Sequence, residues 1–138
     1  MSQPVAGVLL DTDILSAVMR QQPAALARAR AYLAVHRRFA FSVITRYEIL
    51  RGLHAKCASA QLAAFDRLSR ESIVLPITDA IVVRAATLYA DLHRRGALIG
   101  DADILIAATS LEHGLTVVTN NERHYSRIAG IQIENWLA

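Results

Sequence analysis

Apolar residues recur along this chain in two alternating rhythms. Four short runs, Gly7-Val-Leu-Leu10, Phe39-Ala-Phe-Ser42, Ile73-Val-Leu75 and Thr116-Val-Val-Thr119, are too brief for helices. They read as strands covered on both faces, and Ile131-Gln-Ile133 reads as a fifth. Between them the apolar positions return at helical spacing. Ile14 to Met19 and Val43 to Leu53 follow the first two strands, the latter with Val43, Tyr47 and Leu50 on one face. Pro23 suits a first helical turn ahead of the Ala- and Leu-rich Ala24 to Val35. Ala58 to Leu68 forms another helix. The clearest periodicity is Ile77, Ile81, Val82, Ala85, Leu88, Tyr89 and Leu92, ending in the cations His93-Arg94-Arg95 and in Gly96. A helix opening at Asp101 or Ala102 and running through Leu111 to Gly114 is apolar on nearly every side, so it belongs at the centre.

Strands alternating with helices give an α/β fold with a mainly parallel five-stranded sheet flanked by helices. Residues 1–138 show no linker, repeat or low-complexity tract, so a single domain is expected.

Composition narrows the class. At 54% hydrophobic and 20% charged, the chain is too apolar for disorder. No apolar run approaches the roughly 18 residues of a membrane span. Met1 to Gly7 has neither a basic region nor a long apolar stretch, so no signal peptide is read there, and the cytoplasm is the default expectation. A lone Cys57 excludes an intrachain disulfide and a cysteine zinc site. Fifteen basic residues, all Arg except Lys56, face twelve acids. Five of those acids, Asp11, Asp13, Glu48, Asp101 and Asp103, are candidates for one pocket, which leaves seven acids for the rest of the surface. A basic body around an acidic pocket suits a polyanion whose scissile phosphate meets cations.

In a parallel α/β sheet, ligands bind beyond the carboxyl ends of the strands. Asp11 follows the first strand, Asn120-Asn121 the fourth, and Asp101-Ala-Asp103 opens the central helix. Glu48 shares a narrow polar stripe with Thr45 and Gly52 on the helix after the second strand. Singly, each has a structural explanation. Asp11, Asp13 or Asp101 can cap a helix, Asp103 can complement a helix dipole, and Asn121 can make a turn. Together, carboxylates from three separated segments repel one another unless cations join them. With no His or Cys at ligand spacing among them, hard oxygen donors favour magnesium or manganese. Such ions activate water and stabilise phosphoryl displacement. A Gly-rich phosphate loop and a Gly-x-Ser-x-Gly elbow are both absent.

These residues carry a family pattern. Leu9-Leu-Asp-Thr-Asp13, Ser42-Val-Ile-Thr-Arg-Tyr-Glu-Ile-Leu-Arg-Gly52, Ile99-Gly-Asp-Ala-Asp-Ile-Leu-Ile-Ala-Ala108, Val117-Val-Thr-Asn-Asn121 and Gly130-Ile-Gln-Ile-Glu-Asn-Trp136 occur in that order over nearly the whole chain. In this it resembles the PIN-domain ribonucleases, in particular the VapC toxins of bacterial toxin–antitoxin pairs. The resemblance implies a PIN-like fold and a magnesium-dependent (or manganese-dependent) endoribonuclease acting on transfer or messenger RNA. It also implies a cognate antitoxin and a homodimer. The family's acidic positions fall on Asp11, Glu48 and Asp103, with Asp101 an auxiliary ligand or a cap. The fourth falls on Asn121, which lacks the charge and would act through water, while Asp13 stands where the family usually has Asn. Thr12 and Thr45 are expected to position ligands or phosphate. Arg46, Arg51, Arg94, Arg95, Arg123 and Arg127 are expected to hold the RNA backbone. Two other readings stay open: a PIN-like protein that binds RNA or a partner without cutting, and an aspartate-based phosphatase for which Asp11-Thr-Asp13 mimics the nucleophile pair. Metal-dependent RNA cleavage separates all three.

Overall fold

The computed structural model describes residues 7–138; the reading of Met1 to Ala6 as lacking a signal peptide lies outside them. In chain order the elements are β1 (Val8–Leu10), α1 (Thr12–Met19), α2 (Pro23–His36), β2 (Ala40–Ser42), α3 (Val43–Ala55), α4 (Ser59–Arg70) and β3 (Ile73–Leu75). They continue with α5 (Asp79–Arg94), α6 (Asp101–His113), β4 (Thr116–Val118), α7 (Glu122–Tyr125) and β5 (Ile133–Glu134). Every strand pairing is parallel. β1 pairs with β4 from Val8↔Thr116 to Leu10↔Val118, β4 with β5 through Val117↔Ile133, and β2 with β3 through Phe41↔Val74.

The five strands form two ladders, β1-β4-β5 and β2-β3, not one continuous sheet. β2 lies against β1. Yet the Val8 amide, which faces away from β4, donates to the Tyr32 hydroxyl at 3.1 Å. A side chain from α2 thus takes a bond that a continuous ladder would have used.

Side chains alternate across β1 and β4 with the strand period of two. Leu9 and Val117 join Ile81, Leu92, Ile104, Ile106 and Tyr125 in a core under α5, α6 and α7. Val8, Leu10 and Val118 join Ile14, Leu15, Ala29, Phe65 and Trp136 in a core under the first four helices. α6 is central, as its apolar circumference predicts: Ile104 and the run from Ile106 to Ser110 are buried. Gly114 ends it at φ 65°, a conformation open to glycine at little cost.

The clearest departures from the sequence pattern concern α5, β5 and α7. α5 starts two residues later than its first apolar position, because Thr78 caps it by accepting the Ile81 amide at 3.3 Å. β5 falls at Ile133–Glu134, where it meets β4, two residues beyond the expected start. α7 was not expected at all, since four residues are too few to show a helical period. Cys57 sits exposed at φ 51° in the turn between α3 and α4. No helix among the described residues is long and apolar enough to cross a membrane.

Candidate active site

The site is built at the carboxyl ends of β1 and β4. The Asp11 amide extends their ladder, donating to the Val118 carbonyl at 2.9 Å, and the chain then turns into α1. Asp11 is the N-cap of that helix, its Oδ1 accepting the Thr12 amide at 2.7 Å. Its Oδ2 accepts the Thr119 hydroxyl at 2.8 Å, and Thr119 in turn accepts the Asn121 amide at 2.9 Å. Both carboxylate oxygens are therefore aimed by the fold, and the residue is 3% exposed. Burial pushes the Asp11 carboxyl up to about 6. The two hydrogen bonds pull it down by less, and the charges of Asp103 and Asp13 add to the rise.

Asp103 enters from the first turn of α6. His124 Nδ1 lies 2.9 Å from its Oδ2, and the Tyr125 hydroxyl donates to its Oδ1 over a long 3.4 Å. Two acceptors would repel at 2.9 Å, so the proton sits on Nδ1 and the imidazole donates to the carboxylate. The Tyr125 ring is fully buried beneath the site. Burial first, then the charges of Asp11 and Asp103, the bond to Asp103, and the charge of Glu48 hold its hydroxyl far above the usual tyrosine range. Tyr125 is thus a permanent donor, and all three expected carboxylates act on it at once.

Glu48 arrives on α3, the helix that follows β2. Its Oε1 accepts the Thr12 hydroxyl at 2.7 Å, and Thr12 Oγ1 lies 3.2 Å from the hydroxyl of the buried Thr45. Its Oε2 is 3.6 Å from an Arg51 nitrogen. The polar stripe read from the sequence therefore faces the site through Thr12. Gly52 continues it into a cleft of about 410 Å³ also lined by Thr12 and Glu48.

The carboxylates gather without closing on one point. Among the described residues, no group of three His, Cys, Asp or Glu side chains stands ready to hold an ion. Glu48 is turned onto Thr12 and Arg51, and Asp103 onto His124 and Tyr125. The donor set still suits a hard divalent cation. No Lys or Arg pairs with Asp11, Asp13, Asp101 or Asp103 among the described residues, so the buried Asp11 charge lacks a protein counter-ion. Asn121 is half-buried at the rim, its amide 3.5 Å from Asp13.

Several expected residues lie elsewhere. Asp101 is exposed on α6, two residues and hence about 200° around the helix from Asp103. It is not the cap either, since Gly100 takes that position. Of the arginines expected to hold RNA, Arg46 is committed to Ser69, at 2.8 Å, and to the Phe65 ring. Arg95 pairs with Asp91 and donates to the Arg127 carbonyl. Arg127 donates to the carbonyls of Ala97 and Leu98. These three fasten helices and loops together. Arg51 lies beside Glu48 and over the Tyr47 ring, and Arg94 and Arg123 are exposed. Thr119, His124 and Tyr125 were not read from the sequence. The one signal for them was an aromatic residue shortly after a strand that ends at the functional edge.

Comparison with known proteins agrees with this architecture. Residues 8–131 match the PIN domain family. The tRNA(fMet)-specific endonuclease VapC of Salmonella typhimurium is 32% identical over 129 residues, covering 93% of this chain and 96% of that protein. A DNA-bound VapBC structure from Salmonella typhimurium superposes with a TM-score of 0.85 at 29% identity, over 96% of this chain and 99% of the other. A VapBC structure from Rickettsia felis, bound to a promoter DNA fragment, gives 0.83 at 25% identity, over 94% and 98%.

Proposed function

The chain belongs to the PIN-domain family, among the VapC-like ribonucleases, and on that premise we propose that it is a divalent-metal-dependent endoribonuclease, the toxin of a VapBC-type pair. One observation carries the catalytic part of this reading: Asp11, Asp103 and Glu48 converge around the buried Tyr125, and no Lys or Arg neutralises either aspartate. The aspartate-phosphatase alternative falls, because the family match spans nearly the whole chain.

Asp11 and Asp103 would hold magnesium or manganese directly, with Glu48 and Asn121 acting through water. When bound, such an ion supplies Lewis acidity that eases deprotonation of an attacking water and offsets charge on the scissile phosphate. The chain's own residues do the rest. Thr119 and the Thr12 amide fix the Asp11 carboxylate. His124 and Tyr125 fix Asp103, each bonding a different oxygen. Thr12 relays the orientation of Glu48. Arg123, exposed beside His124, has charge available to RNA phosphates, and Arg51 flanks the cleft beside Glu48.

A transfer RNA substrate is supported by the named specificity of the Salmonella relative, and an antitoxin partner by the VapBC complexes among the structural neighbours. A homodimer has apolar surface available in Val82 and Tyr89 on α5, both exposed. Incubating purified protein with transfer RNA tests the reading. Cleavage with magnesium or manganese and none in chelator is expected. Intact RNA in both would leave the PIN-like binder that does not cut.

A further inference from the structure

The six arginines between Asp13 and Glu48 are distributed in a way that the site does not use. Residues 14–47 hold Arg20, Arg28, Arg30, Arg37, Arg38 and Arg46 and not one acid, while the rest of the chain holds nine basic residues and twelve acids. The net positive charge of the protein thus comes wholly from this segment. Arg46 is committed internally, and Arg28 pairs with Glu134 at 3.5 Å. Arg20, Arg30, Arg37 and Arg38 are exposed and have no acidic partner among the described residues.

Most of this charge sits on α2 and the turn after it. Ala25 and Ala29 face inward, and the exposed side of the helix is a ridge of Ala24, Ala27, Ala31 and Ala34 with the exposed Val35 beside them, Arg30 on one flank and Arg28 on the other. The helix has 14 residues and so spans about 21 Å. Its direction connects it to the site. Arg28 meets Glu134, whose neighbour Asn135 bonds Asn120 and Glu122 just beyond β4. At the far end, Tyr32 and His36 lie over Val8, where β1 begins. Beside α2, the stacked rings of Tyr32 and His36, 4.3 Å apart, form with Trp136 an open cup of about 350 Å³.

We infer that the face of α2, from the site edge to Arg37-Arg38, is a second RNA-holding surface that carries the substrate's phosphate backbone away from the cleavage site. The unpaired Arg30 beside the ridge and Arg37-Arg38 at its end offer charge to a phosphate chain, and an aromatic cup beside them accepts an unstacked base. This inference rests on the ribonuclease reading for its ligand and extends the footprint beyond the carboxylates.

Trp136 is the only tryptophan and is buried at the edge of the cup, so its emission responds to changes there. The experiment measures transfer RNA binding to Asp103→Asn protein, by Trp136 fluorescence, across roughly 50–200 mM salt. It is repeated after adding Arg30→Gln, Arg37→Gln and Arg38→Gln, and separately Arg67→Gln and Arg70→Gln on α4. The α2 changes should weaken binding about tenfold or more and flatten the slope of log affinity against log salt by about 2, since each lost single-strand phosphate contact removes about 0.7. The α4 changes should alter affinity less than twofold. Unchanged affinity in the α2 variant, or equal weakening in the α4 variant, overturns the inference. So does a variant that keeps RNA but loses binding to polyglutamate, which would assign the face to an acidic protein segment. Wild-type protein that cuts no RNA would instead count against the ribonuclease reading, and the binding comparison would stand apart from it.

Discussion

Burying the Asp11 carboxylate beside Asp103 and Asp13 opposes folding whenever Asp11 is ionised. Its carboxyl titrates near 6 when folded, against 3.8 ordinarily. Below about pH 4 both folded and unfolded chains hold the proton, and nothing is lost. As pH rises to about 6 the unfolded chain releases a proton that the folded chain keeps, so stability falls across that window and stays lower above it. Without divalent ions, Asp11→Asn should therefore raise Tm at pH 7.5 by roughly 5 °C and change it little at pH 3.5. Equal Tm values at pH 7.5 would mean that the charge is better solvated than its burial indicates. The donors around Asp103 give a second test. Tyr125→Phe and His124→Gln should each weaken manganese binding, measured by calorimetry, by about tenfold while leaving the fold intact, as expected when a group that orients a ligand is removed. Undiminished binding in both would show that Asp103 is held by its helix alone. Asp11, Glu48 and Asp103 were legible in the sequence because each breaks an apolar pattern at a strand end, on a helix face or in a first turn. His124 and Tyr125 were not, because their helix is shorter than the period that would reveal it. Nor does sequence separate a free arginine from a clamped one: Arg127 finds its carbonyl partners some thirty residues back in the chain.

Among the elements, strands of three residues leave little ladder to hold a sheet together, and side chains complete it. β3 matches its apolar run at both ends, because Ile73-Val-Leu75 is bounded by polar residues and Pro76. The break between β1 and β2 was hidden, since nothing local marks a tyrosine on α2 as a backbone partner. Tyr32→Phe tests that bond. It leaves the Val8 amide without its acceptor and should cost about 1–3 kcal/mol in urea unfolding, with the ring packing kept. No loss of stability would mean that water or β2 takes over the amide. The same element logic explains why α6 was read correctly and α5 by two residues less so. A helix buried all round announces itself, whereas the start of α5 is set by the Thr78 cap and not by Ile77.

Over the whole molecule, charge divides as the chemistry requires. Carboxylates collect where the two cores meet at the strand ends, and unpaired arginines lie on α2 and in the turn after it, away from them. The proposed metal-dependent cleavage site joins Asp11, Asp103 and Glu48 and leaves Asp101 outside. Initial rates of transfer RNA cleavage in magnesium, for wild type, Asp103→Asn and Asp101→Asn at matched fold and purity, test this most directly. At least a hundredfold loss is expected for Asp103→Asn, as for removal of about 3 kcal/mol of transition-state stabilisation. Asp101→Asn should cut at a rate within twofold of wild type, and none of the three should cut in chelator. Full activity in Asp103→Asn, or a loss in Asp101→Asn as large as that in Asp103→Asn, would contradict this assignment.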